Sequence, residues 1–211
     1  MLYTVSKYLD IAGPLLALTY FLISSGRLIN GSIYLVFFLC AQLLTNVLSK
    51  ILMHLEITNI RVYQANALIG YITITGWFLY LNRTNKKLYR GIQIFDFSAL
   101  LLLLLIIFTE ETSFLNNQSY TFVSLCICGY GMLFFLNEFK KSEPEAPNDR
   151  NYFILNSAIL GYYLINFFIF LGYGLFTKQA KDNFQFLWSL HNVTLFVSCF
   201  LLALFAKQKA T

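Results

Sequence analysis

The sequence predicts an all-α fold, a polytopic membrane helix bundle with seven transmembrane helices, and three observations carry that class. Charged side chains make up 12% of the 211 residues, about half the share in a soluble domain. Apolar residues reach 58% with a mean hydropathy of +0.63, and the 22 Phe and 14 Tyr suit lipid-facing and interfacial surface. Apolar windows of about 20 residues, the length that crosses a bilayer core, recur at about 9–27, 31–54, 62–82, 90–109, 118–137, 152–176 and 183–206. Together they occupy the chain, so 1–211 reads as a single transmembrane domain. The short connections favour sequential antiparallel neighbours.

The first window follows Tyr8 and Asp10 without a basic leader or a small-residue cleavage site, so it reads as a span and not as a cleavable signal peptide. In the second, Gln42, Asn46, Ser49 and Met53 share a narrow arc at about 100° per residue, with Lys50 at its edge and His54 beyond it. That stripe faces the bundle, either as the wall of a ligand or ion pocket or as interhelical hydrogen bonding. Lys50 and His54 are ionisable groups in apolar sequence, which need a partner, water or a snorkelling route to the interface. Their candidate counter-charges are Glu56, Glu110 and Glu111. The third window brings Gln64. The fourth carries Asp96 beside a basic loop, placed to pair with Arg90 or water. Cys126 and Cys128 in the fifth, like Cys40 and Cys199, lie in apolar sequence and read as packing residues, not as a disulfide framework or metal site. The sixth has Asn166 and a small-xxx-small contact face at Ser157 and Gly161.

The stretch from Asn183 to Lys207, NFQFLWSLHNVTLFVSCFLLALFAK, dictates how the others are arranged. Gln185, Ser189 and Asn192 form one polar face, and His191, Thr194 and Ser198 another. A polar side chain in hydrocarbon without a partner is costly, so two polar faces require neighbours on two sides. His191 lies roughly 12 Å below the end of this helix. His54 is the only other histidine, and no second His on the seventh helix completes a metal pair.

Basic residues set the orientation. The side of the amino terminus holds Lys7, Lys50, Arg61, Lys178 and Lys181; the other holds Arg27, Arg83, Lys86, Lys87, Arg90, Lys140, Lys141, Arg150, Lys207 and Lys209. This positive-inside bias places the N-terminus outside and the C-terminus in the cytoplasm. The longest cytoplasmic connection, NEFKKSEPEAPNDRN from Asn137, has mixed charge and two of the three prolines and reads as an extended linker. The basic residues sit in short loops and form no stripe, which argues against nucleic acid as a partner.

Absences narrow the function. The chain has no P-loop, HExxH or GxSxG, no pair of carboxylates within the apolar segments and no lysine at the centre of the seventh helix. No internal duplication is evident, which argues against an inverted-repeat transporter. No cofactor is implied. The leading expectation is a sensory or accessory module. It would bind a small ligand or lipid in its outer half through Gln42, Asn46, Lys50, His54, Gln64, Asn166, His191 and Asn192. Arg83, Lys86, Lys87, Arg90, Lys140 and Lys141 would meet a cytoplasmic signalling protein. Membrane lipids and a second copy of the chain are further partners. The alternative is a small-solute or ion transporter or channel using the midplane residues Gln42, Asn46, Asn166 and Asn192. A lipid-modifying intramembrane enzyme, built on His54 or His191, is the third class.

The order of TNIRVYQANALIGY at Thr58, NNQSYTFVSL at Asn116, NYFILNSAILGYYLINFFIF at Asn151 and WSLHN at Trp188 resembles a group of uncharacterised seven-helix integral membrane proteins of Bacteroidota. The resemblance spans most of the chain. It departs at Gln64, where members often show His, and near Gly70 and Ser124, where they show Glu. It implies the seven-helix fold, a bacterial inner (cytoplasmic) membrane and, because some similar modules accompany histidine kinases, a role in signalling.

Overall fold

A helix that carries lysine, aspartate and proline would fray in lipid unless its neighbours satisfied it, and the first helix shows how they do. In the computed structural model, which describes residues 2–24, 29–110, 118–140, 149–176 and 181–205, α1 spans Leu2–Ile23. It therefore begins well before its apolar window and takes Lys7 and Asp10 into the helix. Six more helices follow among the described residues: α2 (Ser32–His54), α3 (Ile60–Leu81), α4 (Lys86–Thr109), α5 (Gln118–Glu138), α6 (Asp149–Phe176) and α7 (Lys181–Phe205). The fold is all-α. Five helices, α2, α4, α5, α6 and α7, are long and apolar enough to cross a membrane. α1 and α3 have comparable lengths of 22 residues each. Polar side chains lower their apolar character: the exposed Lys7 and buried Asp10 on α1, and the buried Gln64, Asn66, Thr73 and Thr75 on α3.

The helices pack as a closed ring in the order α1, α2, α3, α5, α6, α7, with α7 returning to α1. α4 stands outside, in the groove between α3 and α5. Only Ile92, Ala99 and Leu103 of α4 are buried, and Phe95, Phe97, Leu101, Leu105 and Phe108 are exposed, as a helix facing lipid on most of its circumference should be. The ring has no open lumen at its middle: Phe38 of α2 reaches across to Tyr162 and Tyr163 of α6, with ring centroids 6.3 Å apart in both pairs. Tyr71, Ile74, Leu35 and Leu39 complete this plug.

Two glycines allow close approach. A Cβ on Gly13 would stand 3.0 Å from Phe196 Cα, so α1 and α7 approach backbone to backbone there. Gly31, at φ +84, presses the α1–α2 turn onto the ring of Tyr80. The expected contact face at Ser157 and Gly161 is not used. Ser157 is exposed and donates to Phe153 O, and nothing lies within 4 Å of a Cβ at Gly161. The packed face of α6 is carried by Leu155, Asn156, Ile159, Tyr162 and Tyr163, whose larger side chains fill the ring.

Candidate functional site

Most of the buried polar side chains gather in one half of the ring, within about 18 Å, or 12 residues, of the end where α1 begins; Ser32, Thr73, Thr75, Asn151, Asn156 and Ser198 lie beyond it. α1 is the most heavily bonded element there. Pro14 has no N–H, so the Asp10 carbonyl four residues earlier loses its helical donor. Asn46 Nδ2 of α2 donates to that carbonyl at 2.8 Å. One turn along α2, Lys50 Nζ reaches Asp10 Oδ1 at 2.7 Å, donates to Lys7 O and lies over the Tyr8 ring. The side chain of Asp10 is 7% exposed and that of Lys50 32%, so the pair opens outward through the lysine. Lys50 thus finds its counter-charge at Asp10, not at Glu56, Glu110 or Glu111. Glu56 is exposed, Glu110 bonds elsewhere, and Glu111 lies outside the described residues.

On its other side α1 meets α7. Ser6 Oγ donates to Ser189 Oγ at 2.9 Å and Asn192 Nδ2 to Ser6 O at 3.1 Å. The second polar face of α7 turns to α6: His191 Nδ1 and Asn166 Oδ1 are 2.7 Å apart, and Ser198 Oγ donates to Ala158 O. Trp188, Tyr162 and Phe170 pack around the imidazole with centroids 5.2, 5.9 and 5.8 Å away. Across the ring, Asn66 Nδ2 of α3 donates to Gln42 Oε1 at 3.2 Å and to the Tyr120 hydroxyl at 2.7 Å. Tyr63 joins the two networks, its ring 6.5 Å from Tyr120 and 5.7 Å from Trp188.

Several atoms in this half keep hydrogen-bonding capacity. Asn66 Oδ1, Asn192 Oδ1, Ser119 Oγ and Ser124 Oγ are buried without a hydrogen-bond partner among the described residues. Ser49 Oγ faces the Tyr63 hydroxyl, and Asn166 Nδ2 the Tyr162 hydroxyl, without forming a hydrogen bond. A buried group left in that state costs about 1–3 kcal/mol.

The remaining expected site residues lie apart. His54 is the exposed last residue of α2 and does not enter the bundle. Gln64 belongs to a latch at the rim. Its Nε2 donates to Glu110 Oε2 at 3.0 Å, its Oε1 accepts from Arg61, and Glu110 Oε1 accepts from the backbone of Gln118 at the start of α5. Asp96, placed by sequence beside Arg90, instead has its carboxylate near Tyr71 and Tyr130, with Oδ1 buried and without a hydrogen-bond partner among the described residues, while Arg90 is exposed. At the opposite end of the bundle Arg83, Lys86, Lys87, Arg90 and Lys140 are all exposed. Lys141 lies outside the described residues.

Sequence reasoning passed over Asp10, Asn66, Tyr63, Tyr120 and Trp188. The spacing of Asp10 and Pro14, which predicts a freed carbonyl beside a carboxylate, was a signal for the first. Among the described residues no group of His, Cys, Asp and Glu could hold a metal ion. The groups this half presents among the described residues are amides, hydroxyls, an imidazole, one ion pair and aromatic faces, which suit hydrogen-bonded and stacked contacts. Comparison with family models, curated proteins and solved structures gives no match for this chain.

Proposed function

We propose that the protein is an integral membrane sensor or accessory module of a bacterial inner membrane, related to the Bacteroidota group it resembles. All seven helices cross the bilayer and the polar half faces outward. A small ligand or lipid group is held among Asn66, Tyr120, Asn192, Asn166 and His191, and the exposed bases at the other end meet a cytoplasmic signalling protein. The observation that carries this reading is the concentration of most buried polar side chains, several with spare hydrogen-bonding capacity, in one half of a ring whose middle is plugged by aromatics. A plugged ring suits a receptor better than a pore.

The test is mass spectrometry of protein purified in mild detergent, alongside crosslinking in cells. A small molecule retained by the native chain and lost from Asn66→Leu and Asn192→Leu, with a cytoplasmic protein captured through Lys86 or Lys87, is the expected result. If nothing is retained, and charge reversal at Lys86, Lys87 and Arg90 changes no crosslink, the sensor reading fails. Transport is the second reading, favoured by the proline-opened α1, whose Asp10 carboxylate meets the Lys50 ammonium of α2. It requires solute flux in proteoliposomes that Asn46→Leu abolishes.

A further inference from the structure

At the end of the bundle opposite the polar half, a pocket of about 230 Å³ lies between the last turns of α3 and α5, the first turn of α6 and the turn before α2. Tyr80 and Tyr152, each against the Trp77 ring, line it together with Leu81 and Phe134, and Asn30, Arg83, Thr84 and Glu138 supply its polar groups. The cation is held against an aromatic face. The Arg83 guanidinium sits 4.2 Å from the centroid of the Tyr80 ring. That ring is itself held by stacking on Trp77 and by the backbone of Gly31 pressed against it. Arg83 forms no ion pair among the described residues. A guanidinium just past the end of α3 and a carboxylate at the end of α5 thus line one cavity from different helices, where the apolar segments end.

The next helix adds a second observation. α4 begins with Lys86 and Lys87 and has no acidic residue in its first turn, which sets two cations at the positive end of a helix dipole. That placement is unfavourable in isolation and becomes favourable beside phosphate.

We propose that the pocket binds a phosphoethanolamine group, supplied as the headgroup of a phospholipid. Arg83 and the Thr84 hydroxyl take the phosphate, Glu138 takes the ammonium, and Tyr80 and Tyr152 bracket the ethylene carbons. A bidentate guanidinium contact suits a phosphodiester. The carboxylate selects against headgroups that lack a cation, and the cavity disfavours the bulkier trimethylammonium of choline. This site is independent of the ligand half proposed above.

The experiment is native mass spectrometry of the full chain delipidated in detergent and offered phosphatidylethanolamine, phosphatidylglycerol and phosphatidylcholine at equal concentration, with soluble O-phosphoethanolamine as a separate arm. The chain should retain phosphatidylethanolamine in preference to both other lipids. Arg83→Ala should lower that retention about tenfold, the scale of one lost charge-assisted contact. Glu138→Gln should keep lipid binding and lose the preference over phosphatidylglycerol. Both positions are partly or fully exposed, and an unchanged elution volume and helical content will show that the variants fold. Equal retention of the three lipids, or an Arg83→Ala chain that binds as the native one does, overturns the proposal. Binding of the soluble compound as tight as that of the lipid overturns the lipid as its source.

Discussion

Asn46 and Pro14 form a pair whose interaction can be measured, because each explains the other. Proline removes the donor for the Asp10 carbonyl, and Asn46 supplies one from a different helix. Replacing Asn46 by Leu keeps the volume roughly and leaves the carbonyl bare, so the bundle should lose about 1–3 kcal/mol. In a Pro14→Ala background the helix provides its own N–H, and the same replacement should cost clearly less. Unfolding of the four proteins in mixed detergent gives the coupling energy directly. Equal costs in the two backgrounds would show that Asn46 acts through packing alone. This scale was only half legible in the sequence. The stripe Gln42, Asn46 and Ser49 could be read from period alone, because its members belong to one helix. The partner of Lys50 could not, since it depends on how far α1 slides along both of its neighbours, a register set by Asn46 against the Asp10 carbonyl on α2 and by Gly13 against Phe196 on α7.

At the scale of the element, the end of α2 carries a strained residue whose side chain makes no hydrogen bond or ion pair among the described residues. Leu55 caps the helix, Glu56 follows at φ 58, and the backbone closes with Glu56 N donating to Met53 O and Ile57 N to Leu52 O. This is the Schellman arrangement, in which the left-handed position is normally glycine. Glu56 is exposed and takes no part in the side-chain hydrogen bonds of the rim among the described residues, where Glu110 is the carboxylate that ties α3 to α5. Glu56→Gly should therefore raise stability by about 1 kcal/mol, seen as a higher thermal midpoint in detergent. A fall would mean that the carboxylate has a role the geometry hides. The helices themselves were legible as apolar windows. Their ends were not: α1 and α4 start early because Lys7, Asp10, Lys86 and Lys87 are helical despite their charge. Hydropathy records what a residue is, not whether a neighbour satisfies it.

For the whole molecule, periodicity gives the number of helices and something of their polar faces, but not the exclusion of α4 from the ring. α4 is the most apolar of the five membrane-length helices, which the sequence alone could equally assign to a buried core or to lipid. The three-dimensional arrangement also sharpens the charge asymmetry. At the end where α1 begins, Lys50 is engaged by Asp10, and Arg61 donates to Gln64 and to Ile107 O. At the other end Arg83 stacks on Tyr80, and Lys86, Lys87, Arg90 and Lys140 are exposed. Bases that are free to meet anionic headgroups and to resist translocation weigh more in orientation than bases already paired inside the bundle. A reporter that matures only in the cytoplasm, fused after Thr211, should therefore be active. Neutralising Arg83, Lys86, Lys87 and Arg90 together should yield a mixed population, whereas Arg61→Gln should leave orientation unchanged. An inactive reporter on the native chain would reverse the bundle, put the polar half on the cytoplasmic side, and remove the basis for an externally facing ligand site.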